Sequence, residues 1–264
     1  MGRLIISRRR FLQHSAMSFG GLVVAGCDKL GGSPSFRRAL DSAEAWTMRG
    51  QRLLIGGQAR AREFTAADIS PSFRSNGTSM PADEGYQRLL QEQFATWRLQ
   101  VDGEVERPAS YTLAELKRLP ARTQITRHDC VEGWSAIGRW QGVPLSLLLH
   151  AAGLKSGARY AVFHCADTYG GRPHKGGDER AGRYYESIDL IDAFHPQTIL
   201  AYALNGRPLP VENGAPLRLR VERQLGYKQA KYLMRVEITT SLDGIGEGKG
   251  GFWEDRGYEW YAGI

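Results

Sequence analysis

The pair Asn205-Gly206 lies between the apolar run Leu200-Ala201-Tyr202-Ala203-Leu204 and the proline-bounded Arg207-Pro208-Leu209-Pro210. Asn-Gly readily takes the left-handed backbone that a two-residue hairpin turn requires, so the chain is committed to β pairing at this point. Other stretches agree. Trp97, Leu99 and Val101 alternate with polar residues up to Asp102-Gly103, which reads as a strand entering a turn. Gln124 to Thr126 predicts a further strand, and Tyr160 to Cys165 has the β-branched and aromatic content of a buried one. Leu217-Arg218-Leu219-Arg220-Val221 alternates, and Met234 to Thr239 reads as a closing strand. The helices are short. Thr112 and Glu115 form a capping box for a helix stopped by Pro120. Pro144 to Ala152 is bounded by proline near its start and Gly153 past its end. Ser187 is the expected N-cap of a short helix reaching Phe194. The fold class is α+β, a mixed sheet with short helices.

Three segments are expected. Residues 1–27 read as an export signal, in which Ser7-Arg8-Arg9-Arg10-Phe11-Leu12 resembles a twin-arginine signal, followed by an apolar stretch too short to span a membrane. The stretch ends in Val24-Ala25-Gly26-Cys27, which resembles a lipobox. Acylated Cys27 would hold the protein on a membrane surface, and an ordinary cleavage site is the alternative. Residues 28–44 are rich in Gly, Ser, Pro and charge and read as a flexible linker, and 45–264 form the folded domain. The expected location is periplasmic. The net charge of +7 does not indicate nucleic acid, because four arginines ahead of Asp28 carry most of it and basic residues in the body alternate with acids. The cysteines Cys27, Cys130 and Cys165 lack CxxC spacing, which excludes a disulfide framework.

One stretch concentrates chemistry: Arg127-His128-Asp129-Cys130-Val131-Glu132-Gly133-Trp134-Ser135. Thiolate is the nucleophilic and metal-binding form of cysteine, and Arg127 or a protonated His128 would favour it while Asp129 and Glu132 oppose it. A buried inert cysteine is the alternative. A cysteine nucleophile with His128 as base is disfavoured on the ground that strand neighbours face opposite sides. Near the C-terminus, Gly226-Tyr227-Lys228-Gln229-Ala230-Lys231 opens on glycine and offers two lysines and backbone amides, a set suited to phosphate. Gly246 to Gly251 fits GxGxxG without a βαβ unit around it, so a dinucleotide site is not expected.

His128 to Ser135, Leu200 to Arg218, Gly226 to Leu233 and the aromatic tail from Phe252 to Tyr261 together resemble the sulfite oxidase family of molybdopterin enzymes. The resemblance spans roughly residues 74 to 264 and implies that family's catalytic-domain fold with a molybdenum–molybdopterin cofactor. It implies Cys130 as the ligand to molybdenum and Tyr184 over the metal as a hydrogen-bond or proton donor. Lys228 and Arg74 would set the charge of the pocket, and Asn76, Cys165, Asn213, Arg218, Gln229, Ala230 and Lys231 would hold the pterin. Lys228 stands where sulfite oxidases carry a substrate-binding arginine, and lysine lacks the planar fork.

The implied function is oxygen-atom transfer at sulfur, as reduction of an S-oxide such as methionine sulfoxide, free or in proteins. Electrons would come through a separate partner, a membrane haem protein or a cytochrome c. Sulfite dehydrogenation and a non-catalytic exported lipoprotein that binds a partner are the alternatives.

Overall fold

The computed structural model describes residues 33–56, 59–169 and 182–264. The expected signal with Cys27 lies outside the described residues, as do His174 and Lys175 in a charged stretch that also holds Gly170, Gly171, Gly176 and Gly177. The chain divides into two compact units, Met1–Gly50 and Gln51–Ile264. Within the linker expected over residues 28–44, the chain instead enters an α-helix, Pro34–Ile55, that begins at its proline. The helix-breaking residues end with Gly31-Gly32-Ser33-Pro34, proline suits a first helical position, and Ala43, Glu44, Ala45 and Met48 are good helix formers. Among the described residues no helix is long and apolar enough to cross a membrane.

The second unit is built on strands β1 (Arg98–Gly103), β2 (Ala109–Thr112), β3 (Arg122–Asp129), β4 (Ser135–Pro144), β5 (Tyr160–Thr168), β6 (Arg183–Asp189), β7 (Ile199–Leu204), β8 (Arg207–Pro208), β9 (Arg218–Arg220) and β10 (Leu233–Thr239). One sheet has the order β2-β1-β10-β5-β6, the other β3-β4-β7-β8 with β9 also on β7. Only β1 and β10 run parallel among these pairs, so the closing strand is inserted between elements from early and middle parts of the chain. The turn between β7 and β8 is the expected one, with Asn205 at φ 53° and Gly206 at φ 77°.

The helices are as short as their breakers demand. Leu113–Arg118 carries the predicted Thr112/Glu115 capping box, and Leu145–Ala152 ends at Gly153 with φ 68°. Helix Leu190–Ala193 is capped by Asp189, which accepts from the Asp192 N–H, and not by Ser187. Ser187 cannot serve because it is still inside β6, paired with Val162, and its hydroxyl donates to the Gly250 carbonyl. Helix Glu84–Gln91 has no counterpart in the sequence reading; Asp83 caps it.

A continuous core takes Leu99 and Val101 from β1, Phe163 from β5, Leu200 from β7 and Val236 and Ile238 from β10. Each fully buried side chain of this kind contributes about 1.5–3 kcal/mol. Strand β9 departs from the usual pattern of one apolar and one wet face. Leu217, Leu219 and Val221 join the core, yet Arg218 and Arg220 on the other face are also fully buried. Their guanidinium carbons stand 5.1 and 4.4 Å from the Trp140 ring centroid, which supplies a cation–π partner in place of water.

Candidate active site

Strand β3 alternates so that Gln124, Thr126, His128 and Cys130 are buried while Thr123 and Arg127 are exposed. It delivers Cys130 into a tight turn before β4. The Cys130 N–H donates to the Trp134 carbonyl at 2.9 Å, and the Gly133 N–H to the Cys130 carbonyl at 3.0 Å. Gly133 takes φ 84°, which explains glycine at that place. Cys130 is 8% exposed and lines a pocket of about 310 Å³. Burial pushes its thiol pKa up and Glu132 adds to this, while backbone N–H groups and Arg74 pull it down. Arg74 itself is exposed and lies over the Trp134 ring at 5.4 Å.

The opposite wall is the turn Gly226–Lys228 and the residues after it. Gly226, Gln229, Ala230 and Lys231 all line the pocket. Arg218 organises this wall from behind: its guanidinium donates to the Asn213 carbonyl at 3.0 Å and the Gln229 carbonyl at 3.1 Å. Burial, then the neighbouring Arg220, lower its pKa to about 9. Lys231 donates to Ser75 Oγ at 3.2 Å, to the Glu212 carbonyl at 2.9 Å and to the Thr78 carbonyl, so the loop bearing Asn76 is tied to the same wall. Burial, then Arg218, lowers Lys231 to about 7, and burial raises its neighbour Asp167 to about 7 against the pull of the lysine.

Tyr184 comes from β6 and forms a third side. Its hydroxyl donates to the Tyr227 carbonyl, and burial, reinforced by Glu186 and Glu254, keeps it protonated far above its ordinary range. The C-terminal tail brings Trp253 and Tyr258 to the mouth.

Six expected residues therefore meet at one pocket: Cys130, Tyr184, Asn76, Gln229, Ala230 and Lys231. Arg218 and Asn213, expected to hold the pterin, stand behind the wall, where Arg218 braces the Asn213 and Gln229 carbonyls. Cys165 is a core residue, 2% exposed, whose thiol burial holds strongly protonated. Lys228 does not present its charge to the pocket: Nζ is bound by Glu186 at 2.5 Å and Glu254 at 2.6 Å. Two acids from distant segments hold it in the interior.

His128 corrects two expectations. Burial, then Arg220 and Arg218, drive its pKa well below the usual value, so it is neutral and cannot stabilise a thiolate as a cation. It also lies on the same face as Cys130, two residues on, so the opposite-face reason against a nucleophile pair was mistaken; the pair fails because no hydrogen bond joins them. Arg220 donates to His128 Nδ1 at 2.9 Å, which leaves the proton on Nε2. That N–H has no partner and faces Gly226 of the pocket wall. Sequence reading also missed Asp167, whose signal was only an acid closing a buried strand.

The donor set around the pocket suits a pterin with a dithiolene-bound metal. Asn76 Oδ1, Asn213 Nδ2, Asp167 Oδ1 and His128 Nε2 are buried without partners at or beside the pocket, the mixed donors and acceptors a polar heterocycle would satisfy. Among the described residues no group of three or more His, Cys, Asp or Glu could hold an ion unaided, so a metal at Cys130 needs further ligands from a cofactor. The residues fit such a group.

Comparison with known proteins agrees. Residues 86–243 match the family model "Oxidoreductase molybdopterin binding domain". An Azospira oryzae protein, whose name proposes a protein-methionine-sulfoxide reductase subunit, YedZ1, is 37% identical over 97% of this chain and 88% of its own. The protein-methionine-sulfoxide reductase catalytic subunit MsrP of Xanthomonas campestris pv. campestris is 32% identical over 89% of this chain and 70% of its own. A solved sulfane dehydrogenase SoxCD from Paracoccus pantotrophus aligns over 55% of this chain and 38% of its own, at 24% identity and TM-score 0.46. With a matching domain model over residues 86–243 and relatives more than 30% identical covered over 88% and 70% of their own length, the chain belongs to the molybdopterin-binding oxidoreductases of the sulfite oxidase family and is an oxidoreductase.

Proposed function

We propose that this protein reduces S-oxides, methionine sulfoxide among them, as the catalytic component of an exported system that draws electrons from a separate redox partner. The observation that carries the reading is the pocket that brings Cys130, Tyr184 and the Gly226–Lys231 wall together, in a chain whose relatives are named for methionine sulfoxide reduction. The reaction balances as an S-oxide plus two electrons and two protons giving a thioether and water.

Molybdenum held by molybdopterin, when bound, supplies the two-electron oxygen-atom transfer. Cys130 would hold the metal through its sulfur, giving up the proton that burial otherwise retains. Lys231 and the backbone of 229–231 would take the pterin phosphate, and Asn76, Asn213 and His128 Nε2–H would satisfy the heterocycle. Tyr184 stays protonated and is pinned to the Tyr227 carbonyl, so its role is to offer a fixed hydroxyl at the pocket wall. Trp253 and Tyr258 narrow the mouth and exclude water from the reacting sulfur. The lack of a presented lysine at position 228 supports an uncharged substrate over sulfite.

Periplasmic location by the twin-arginine route, anchoring through Cys27 and a haem protein as electron donor complete the proposal; the Ser7–Leu12 motif supports the first. The test is turnover by the cofactor-loaded protein with a reduced viologen dye as donor. Methionine sulfoxide should oxidise the dye; a protein that ignores S-oxides and instead passes electrons from sulfite to an acceptor is a sulfite dehydrogenase, and the proposal fails. Replacing Arg8 and Arg9 by Lys should hold the protein in the cytoplasm if the export reading is right.

A further inference from the structure

Lys228 stands in sequence between two pocket-lining residues, Tyr227 and Gln229, yet its ammonium is enclosed in a cluster that opens to neither solvent nor pocket. The two acids that bind it come from β6 and from the turn Glu254–Arg256 in the C-terminal tail. All three side chains are at most 1% exposed. The Trp260 ring covers the ammonium at 5.2 Å, and the Tyr227 ring lies 6.0 Å from it. Gly251 leaves room for both acids: a Cβ there would stand 1.9 Å from Glu254 Oε2 and 2.8 Å from Glu186 Oε1. Two chain segments and a glycine are thus spent on neutralising one lysine.

The charge count decides what this does. Two carboxylates and one ammonium carry −1 if all are ionised, and zero if Glu186 keeps the proton that burial and Glu254 favour. In neither state does the cluster carry net positive charge. Tyr184, two residues before Glu186 and so on the same face of β6, is the part of that wall that meets the pocket. An uncancelled ammonium at this range, in a medium of low effective dielectric, would draw an oxyanion into the pocket.

We propose that Glu186 and Glu254 are specificity-determining residues: by cancelling the Lys228 ammonium behind the Tyr184–Tyr227 wall, they set the pocket to take an uncharged sulfur–oxygen substrate in preference to an oxyanion. This rests on the pocket being the substrate site proposed above. The acids touch no substrate and act through Lys228, as positioning residues.

The experiment titrates the cofactor-loaded full chain with sulfate at fixed ionic strength and follows tryptophan fluorescence, since Trp253 lines the pocket. The double variant Glu186→Gln/Glu254→Gln should bind sulfate at least about tenfold tighter than wild type. Each single variant should change affinity by less than about threefold, because the remaining acid still cancels the ammonium. Adding Lys228→Gln to the double variant should return the affinity to that of wild type. A folded double variant within about twofold of wild type overturns the proposal, as does a gain that survives Lys228→Gln. If the double variant does not fold, the triple variant Glu186→Gln/Glu254→Gln/Lys228→Gln, which removes all three charges together, decides: sulfate affinity within about threefold of wild type supports the proposal, and an about tenfold loss shows that Lys228 already presents its charge and overturns it. Sulfate binding is read without turnover, so a wild type that behaves as expected here but reduces no S-oxide defeats the functional reading alone.

Discussion

Replacing Gly226 by alanine adds one methyl group to the pocket wall at its tightest point. The backbone φ of Gly226 is not in the left-handed region, so the effect is steric alone. The new Cβ would lie 2.5 Å from His128 Nε2 and 2.7 Å from its Cε1, where carbon contacts need about 3.5 Å or more, so the ring or the turn must retreat by about 1 Å. The ring has nowhere to go. Its Nδ1 is fixed by Arg220 at 2.9 Å, Arg220 is held by Glu222 at 2.9 and 2.6 Å, and the guanidinium is seated 4.4 Å from the Trp140 centroid. Overpacking a rigid interior costs about 1–3 kcal/mol, and this backing places the site at the upper end. For a domain of this size that corresponds to a fall in Tm of about 5–10 °C, read by circular dichroism on cofactor-free protein. Gly244→Ala is the control, since nothing lies within 4 Å of its Cβ. A Gly226→Ala protein melting within about 2 °C of wild type would show that the His128 wall is not fixed as described.

Arg218→Lys should lose about 1–3 kcal/mol in urea unfolding, because a shorter side chain with one nitrogen lacks the fork whose two nitrogens separately reach the Asn213 and Gln229 carbonyls, and at least one buried acceptor is left unpaired. The same variant should bind pterin less tightly, seen as a lower pterin content after purification. Asp167 sets a pH dependence: its folded pKa of about 7 lies above the ordinary 3.8, so its contribution to stability is present below pH 4 and is lost as pH rises to 7. Asp167→Asn should make the slope of stability against pH less negative between about 4 and 7; an unchanged slope would mean the carboxyl is ionised in the folded protein.

Much of the frame was legible because local rules decided it. Asn205-Gly206 had one inexpensive turn to form, and Thr112 with Glu115 could cap only a helix beginning at Leu113. Cys130 was legible as a strand-end residue, since the alternation of β3 carries it to the buried face. Burial of Arg218 and Arg220 was not, because alternation states which residues share a face and says nothing of what covers that face; here Trp140 does. The Lys228 cluster escaped for a related reason. Its acids lie 42 and 26 residues away, and no local pattern reports a pairing made only by tertiary contact. A cationic His128 was open in the sequence because the burial that keeps it neutral, reinforced by Arg220 92 residues distant, leaves no local signal. Ser187 lost its predicted cap to the pairing of β6 with β5, where tertiary pairing overrode a local preference.

The measurement that bears most directly on the account is the molybdenum and pterin content of the protein purified from cells that make molybdopterin, with Cys130→Ser prepared alongside. The account predicts close to one molybdenum and one pterin per wild-type chain. In the variant it predicts that pterin is kept by the Gly226–Lys231 wall while the spectrum of the metal changes with the loss of its sulfur ligand. Wild type without molybdenum or pterin, or a variant whose metal spectrum matches that of wild type, would contradict it.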